Sequence, residues 1–132
     1  MKFYAGITAA LLAILIIGWN NTSQAAEKGA AKKVKGVQAV EELYAKKDKL
    51  NGKKVVVRGK VVKFNGGIMG RNWIHLQDGS GKQGTNDITI TTNQNAKVGD
   101  TVVATGVMAI NREFGGQYKY EVIIEQTTLA VE

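Results

Sequence analysis

The run Lys54 to Phe64 (K-V-V-V-R-G-K-V-V-K-F) constrains this chain more than any other segment. Its valines favour extended backbone, because branched side chains pack well on a pleated surface. Gly59 stands in the middle of it. A glycine inside a long strand marks a bulge or a sharp bend. A strongly bent strand can serve in two sheets, which is what a small closed barrel requires.

The residues that follow repeat with a period of two. In Asn72 to Asp78 (N-W-I-H-L-Q-D), Ile74 and Leu76 share one face and Trp73, His75 and Gln77 the other. In Asp87 to Thr92, Ile88 and Ile90 point inward by the same rule. Thr101 to Ile110 contains Gly106, and Tyr118 to Glu125 sets Tyr118, Tyr120, Val122 and Ile124 against Lys119, Glu121, Ile123 and Glu125. Glycine-rich breaks at residues 65–70, 78–81, 98–100 and 114–116 supply the turns. The expected strands are 54–64, 72–78, 87–92, 101–110 and 118–126. Five strands with a bent first member predict a mainly β fold, a five-stranded oligonucleotide/oligosaccharide-binding (OB)-like barrel. An SH3-like barrel or small sandwich is the alternative. The link from Thr91 to Lys97 is too short for the long helix that such barrels usually carry between their third and fourth strands.

Ahead of the strands, Val37, Val40, Leu43 and Tyr44 recur at helical spacing between Glu41, Glu42, Lys46 and Lys47. This predicts one amphipathic helix over 37–50, ended by Asn51-Gly52. Residues 26–36 have no sustained apolar pattern and read as a flexible basic lead-in. Residues 1–25 read as a cleaved signal-peptide helix: Lys2, an apolar centre from Ala9 to Ile17, then Ser23-Gln24-Ala25 as a small-x-small site. The apolar stretch is shorter than the ~20 residues of a membrane span. Cleavage near Ala25 would leave no stable membrane span and a periplasmic or secreted domain over 37–132.

Composition narrows the chemistry. The chain has no cysteine, so disulfides, thiolate nucleophiles, cysteine zinc sites and covalent haem attachment are excluded. Charge is uneven: twelve Lys and Arg against four acids from Glu27 to Lys63, then five against seven from Phe64 to Glu132. Such a basic N-terminal half suits phosphates, anionic lipid or an acidic protein, and also suits a merely solvated tail.

The block Gly66-Gly67-Ile68-Met69-Gly70-Arg71-Asn72-Trp73-Ile74-His75-Leu76-Gln77-Asp78-Gly79 resembles that of small exported bacterial proteins related to NrfJ, named for cytochrome c nitrite reductase gene clusters. Asp87 to Thr92, Val98-Gly99-Asp100, Phe114 to Tyr120 and Leu50 to Val55 extend the resemblance over most of residues 37–125. It implies an OB-like fold and an envelope location, and its gene-cluster association favours docking to a protein partner. It transfers no catalytic or ligand residue.

His75 is the only histidine, no nucleophile elbow is present and the acids are scattered, so no enzyme is expected. Three binding readings compete. In the first, Trp73, with Phe64 or Phe114, stacks bases of single-stranded nucleic acid. Lys53, Lys54, Arg58, Lys60, Lys63, Arg71 and Arg112 then hold phosphates. In the second, Met69, His75 and Met108 hold Cu(I) with Trp73 capping it, since thioethers select soft metals. In the third, the barrel docks an envelope protein partner or polyanion through its exposed face and basic tail. The ligand-binding face is then Phe64, Arg71, Trp73, His75, Gln77, Arg112 and Phe114. The third reading leads, and no bound cofactor is expected. Trp73 would be buried without any ligand if it lay on the face that the helix covers.

Overall fold

The bend expected at Gly59 is where the architecture turns. The computed structural model describes residues 36–132; the signal peptide and residues 26–35 of the lead-in lie outside the described residues. Two short helices, α1 (Val40–Ala45) and α2 (Lys47–Leu50), precede five strands: β1 (Lys54–Ile68), β2 (Arg71–Gln77), β3 (Ile88–Thr92), β4 (Thr101–Glu113) and β5 (Lys119–Val131). The fold is mainly β, as expected. The sheet closes into a ring in the order β1-β2-β3-β5-β4.

β1 makes the closure possible. Its first half pairs with β4, from Lys54↔Val107 to Lys60↔Thr101, and its second half with β2, from Lys60↔Gln77 to Ile68↔Arg71. The handover falls at Gly59 and Lys60. A Cβ on Gly59 would stand 3.0 Å from the Gln77 carbonyl oxygen and 3.3 Å from the Leu76 Cβ, so the absent side chain is what lets β2 approach. The pairs are antiparallel except β3–β5, which is parallel: Thr89↔Ile123, Ile90↔Ile124 and Thr92↔Thr127. Beyond Thr92 a side chain continues this pairing. The Gln94 amide donates to the Leu129 carbonyl at 3.2 Å and accepts from the Leu129 N–H at 2.7 Å.

Several strands overrun their expected ends. β1 continues through Asn65-Gly66-Gly67, read from sequence as a glycine loop, and β4 and β5 extend to Glu113 and Val131. The interior holds Val55, Val57, Val61, Ile74, Leu76, Ile88, Ile90, Val102, Ala104, Met108, Val122 and Ile124, all buried. The alternation in β2 and β3 and the Val122/Ile124 pair face inward as expected.

The helix differs. A single helix over 37–50 does not form. Val37 is extended and bridges Val56 in parallel, with the Gln38 N–H donating to the Val56 carbonyl at 2.8 Å. This covers an edge of β1 that β2 leaves free, and a covered edge cannot template pairing with another chain. The helix then breaks at Lys46 (φ −109°, ψ 24°). Val40 and Leu43 plug one end of the ring and are fully buried.

The N-terminus of α1 is satisfied from far along the chain. Ala39 has no side-chain acceptor. Glu42 Oε1 accepts the Ala39 N–H at 3.0 Å, Asp78 Oδ2 accepts the Val40 N–H at 2.9 Å, and Ser80 Oγ accepts the Glu41 N–H at 3.0 Å. Burial pushes the Asp78 carboxyl up, but hydrogen bonds from the Ser80 hydroxyl and the Val40 and Ser80 amides outweigh it. The net pKa lies below the usual carboxylate value. A depressed folded pKa gives stability that is present above the unfolded value and lost as pH falls through the folded one. Asp78→Ala should therefore cost about 1–2 kcal/mol at neutral pH, the scale of a lost helix cap. Urea denaturation should also show a shallower decline below the ordinary carboxylate pKa than in the parent. An unchanged midpoint at pH 7 would count against this capping role.

Candidate functional site

Trp73 is 2% exposed, and it lies outside the interior cluster that holds Val40 and Leu43 of α1. Its indole N–H donates to the Ile68 carbonyl at 2.8 Å, across the β1–β2 hairpin. Its ring meets three aromatics of the β4–β5 hairpin. Phe114 stands edge-on at 5.1 Å between centroids, Tyr118 is tilted at 5.8 Å and Tyr120 is stacked at 5.7 Å. Gly115 and Gly116, both at positive φ, let the hairpin turn between these rings. Every residue of β3 is buried, including Thr89 and Thr91, which alternate outward from Ile88 and Ile90. Ile123, outward on β5 beside Thr89, is buried as well. Both faces of the sheet are thus covered here. Trp73 offers no free platform for a base, which removes the stacking arrangement expected from sequence.

Phe64 is on the other side of the sheet. It pairs with the inward residue Ile74 and packs against the interior. A bulge between Val61 and Lys63 inserts one residue, so simple alternation assigns Phe64 to the wrong face. Phe64 therefore does not share a surface with Trp73, His75 and Phe114. The metal set does not converge either. Met108 is fully buried in the interior, whereas Met69 is 45% exposed in the β1–β2 turn. His75 is four positions along β2 from Arg71, a span of about 13 Å. Among the described residues no three His, Asp or Glu side chains are grouped to hold a metal ion.

His75 instead joins a small polar network. Its Nδ1 lies 2.8 Å from Asp87 Oδ1, and the Gln77 amide donates to Asp87 Oδ2 at 3.2 Å. Burial pushes the Asp87 carboxyl up, but these hydrogen bonds and the charges of His75 and Lys63 hold it below its usual value. The Tyr44 hydroxyl donates to the Asp87 backbone carbonyl, tying α1 to the start of β3. Burial first, then the Asp87 and Glu121 charges, push the Tyr44 phenol up to about 12.

Arg71 and Arg112 do come together. Both approach the Glu125 carboxylate, Arg112 Nε at 2.9 Å and Arg71 at 3.5 Å. Both also sit against the Phe114 ring, at 4.8 Å for Arg112 and 5.7 Å for Arg71. Sequence reading missed Glu125, Tyr118 and Tyr120 as parts of this cluster. Their strand alternation was visible, but the fold of the hairpin onto β2 has no local sequence signature.

The lysines divide from the other cations. Arg58 forms a two-pronged ion pair with Glu132, at 2.7 and 2.8 Å. Lys46, Lys47 and Lys119 also have carboxylate partners. Lys53, Lys54, Lys60 and Lys63 are exposed, and none has an ion pair within 4 Å among the described residues. Lys54, Arg58 and Lys60 alternate outward along β1, and the bulge turns Lys63 outward too, opposite His75. No helix among the described residues is long and apolar enough to cross a membrane. No protein-family model matches the chain, and its comparison with curated proteins gives no match.

Proposed function

We propose that the chain is a non-enzymatic, exported accessory protein of the cell envelope, built on an OB-like barrel, that docks an acidic protein partner or polyanion through the outer face of β1. The observation that carries this is the set of lysines that have no ion pair among the described residues. Lys54 and Lys60 are six strand positions apart, about 20 Å, and Lys63 follows beyond the bulge. Like charges along one strand repel one another and gain from a partner that neutralises several at once. The ring order, the parallel β3–β5 pair and the bent β1 support the OB-like assignment. The secretory pattern at residues 1–25 and the resemblance to NrfJ-related exported proteins support the envelope setting.

Labelled oligo(dT) serves as a generic polyanion probe, read by fluorescence anisotropy. The parent protein should bind with a steep salt dependence. A Lys54→Gln/Lys60→Gln/Lys63→Gln variant should lose about 0.7 of logarithmic salt slope per phosphate contact removed. A slope equal to the parent's would eliminate the β1 face as the docking surface. Capture from an envelope extract, with the triple variant as control, then separates an acidic protein from a simple polyanion.

A further inference from the structure

A polar groove of about 720 Å³ lies beside the arginine pair, lined by Arg71, Arg112, Glu125, Asn93, Gln126 and Thr128 among others, and by none of the β1 lysines. Its volume falls within the ~300–1,000 Å³ range of small-ligand sites. Apart from Met69 and Gly70, its lining is made of amides, hydroxyls and charges. Such a surface suits a solute rich in hydroxyl groups rather than an apolar one.

The walls are held in place by specific features. Asn72 joins two of them: its Oδ1 accepts the Gly67 N–H at 2.9 Å and its Nδ2 donates to the Gln94 carbonyl at 2.9 Å. On the opposite wall a bulge in β5 puts Gln126 at φ 54°, in the left-handed region. Gln126 and Thr128 are exposed, and so is Asn93. None of these three side chains is held in a hydrogen bond among the described residues. Among the described residues Arg71 has one long ion-pair contact, with Glu125 at 3.5 Å, while its guanidinium is steadied over the rings of Trp73 (6.0 Å) and Phe114 (5.7 Å). A guanidinium has five N–H donors, so most of Arg71's capacity is unspent.

We infer that this groove is a second binding site, for a hydroxyl-rich solute bearing one oxyanion. Arg71 and Arg112 take the acid group, and Asn93, Gln126 and Thr128 take the hydroxyls. Glu125 holds the two arginines together when the groove is empty, as an internal stand-in for the ligand's acid. Two sources supply this chemistry: the carboxylate of a sugar acid and the phosphate of a sugar phosphate.

The test is a ¹H–¹⁵N titration of the full chain with three probes: monomeric galacturonate, glucose 6-phosphate and neutral maltotriose. Saturable shifts are expected at residues 71, 93, 112, 126 and 128 with one or both acidic probes, and not with maltotriose. The acidic probe that binds tighter identifies the source. Arg71→Ala should weaken that binding about tenfold or more, as expected for one charge-assisted contact. Glu125→Gln should tighten it severalfold, because the internal competitor is gone. No saturable shift from either acid, equal binding of maltotriose, or a Glu125→Gln protein that binds no tighter would overturn the proposal.

Discussion

Trp73→Ala should lower the stability of the folded domain by about 3–5 kcal/mol, the range for removing a fully buried aromatic. Domains of this size have only about 5–15 kcal/mol to lose. The effect belongs at the top of the range because the indole joins two hairpins. Its N–H is bonded to Ile68 in the β1–β2 hairpin, and its ring is packed on Phe114, Tyr118 and Tyr120 of the β4–β5 hairpin. Aromatic pairs add about 0.5–1.5 kcal/mol each beyond area burial. Urea denaturation followed by far-UV circular dichroism measures the change, since the variant lacks the only tryptophan of residues 36–132. Trp73→Phe keeps most of the ring and loses the N–H, so it should fall between parent and alanine variant. A loss under about 1 kcal/mol for the alanine variant would mean that the hairpin does not rest on Trp73 in solution.

Gly106→Ala should be nearly as damaging, at about 3 kcal/mol, the upper end for overpacking a well-packed site. A Cβ at this position would lie 2.7 Å from the Glu125 carbonyl oxygen, 2.7 Å from Ile124 Cγ2 and 2.8 Å from Thr127 Oγ1. Backbone is among the obstacles, so a change of rotamer cannot relieve the clash. The register between β4 and β5 shifts between Thr105 and Val107, where the β5 bulge crosses Gly106. An added methyl must push that bulge outward and carry Glu125 with it. Thermal denaturation of the variant checks the stability change, and amide shifts at residues 71 and 112 report the displaced carboxylate. A variant with parental stability would show that β5 does not cross Gly106 so closely.

The two interior glycines mark how far sequence could lead. Gly59 was readable as a bend because it interrupts an otherwise continuous β-branched run, and the handover from β4 to β2 falls there. Ile74, Leu76, Ile88 and Ile90 were readable because both strands alternate without interruption. The phase failed where a bulge intervened. One extra residue between Val61 and Lys63 reverses the assignments from Lys63 to Asn65, so Phe64 turns inward and Lys63 outward, until a second shift before Ile68 restores the phase. The helix cap was hidden for a different reason: Asp78 lies 38 residues from Val40, so no local signature announces it. The site was legible only in part. Arg71, Arg112 and Phe114 were marked by residue type, and Trp73 by its rarity. Whether that tryptophan was free depended on where a distant hairpin came to rest. Strand periodicity carries no information on that point.

The glutamine that prolongs the parallel pair has a mechanical consequence. A ring of strands is as rigid as its weakest seam. Here that seam is β3 against β5, where three registered backbone pairs are supplemented by the Thr92 hydroxyl, which donates to the Thr127 carbonyl, and by one side-chain amide. Segments with few backbone hydrogen bonds open first in local fluctuations. Asn93 and Gln94 stand on one bank of the seam and Gln126 and Thr128 on the other. Any solute held by both banks therefore acts as a rivet, stiffening the ring along the line where it would otherwise part.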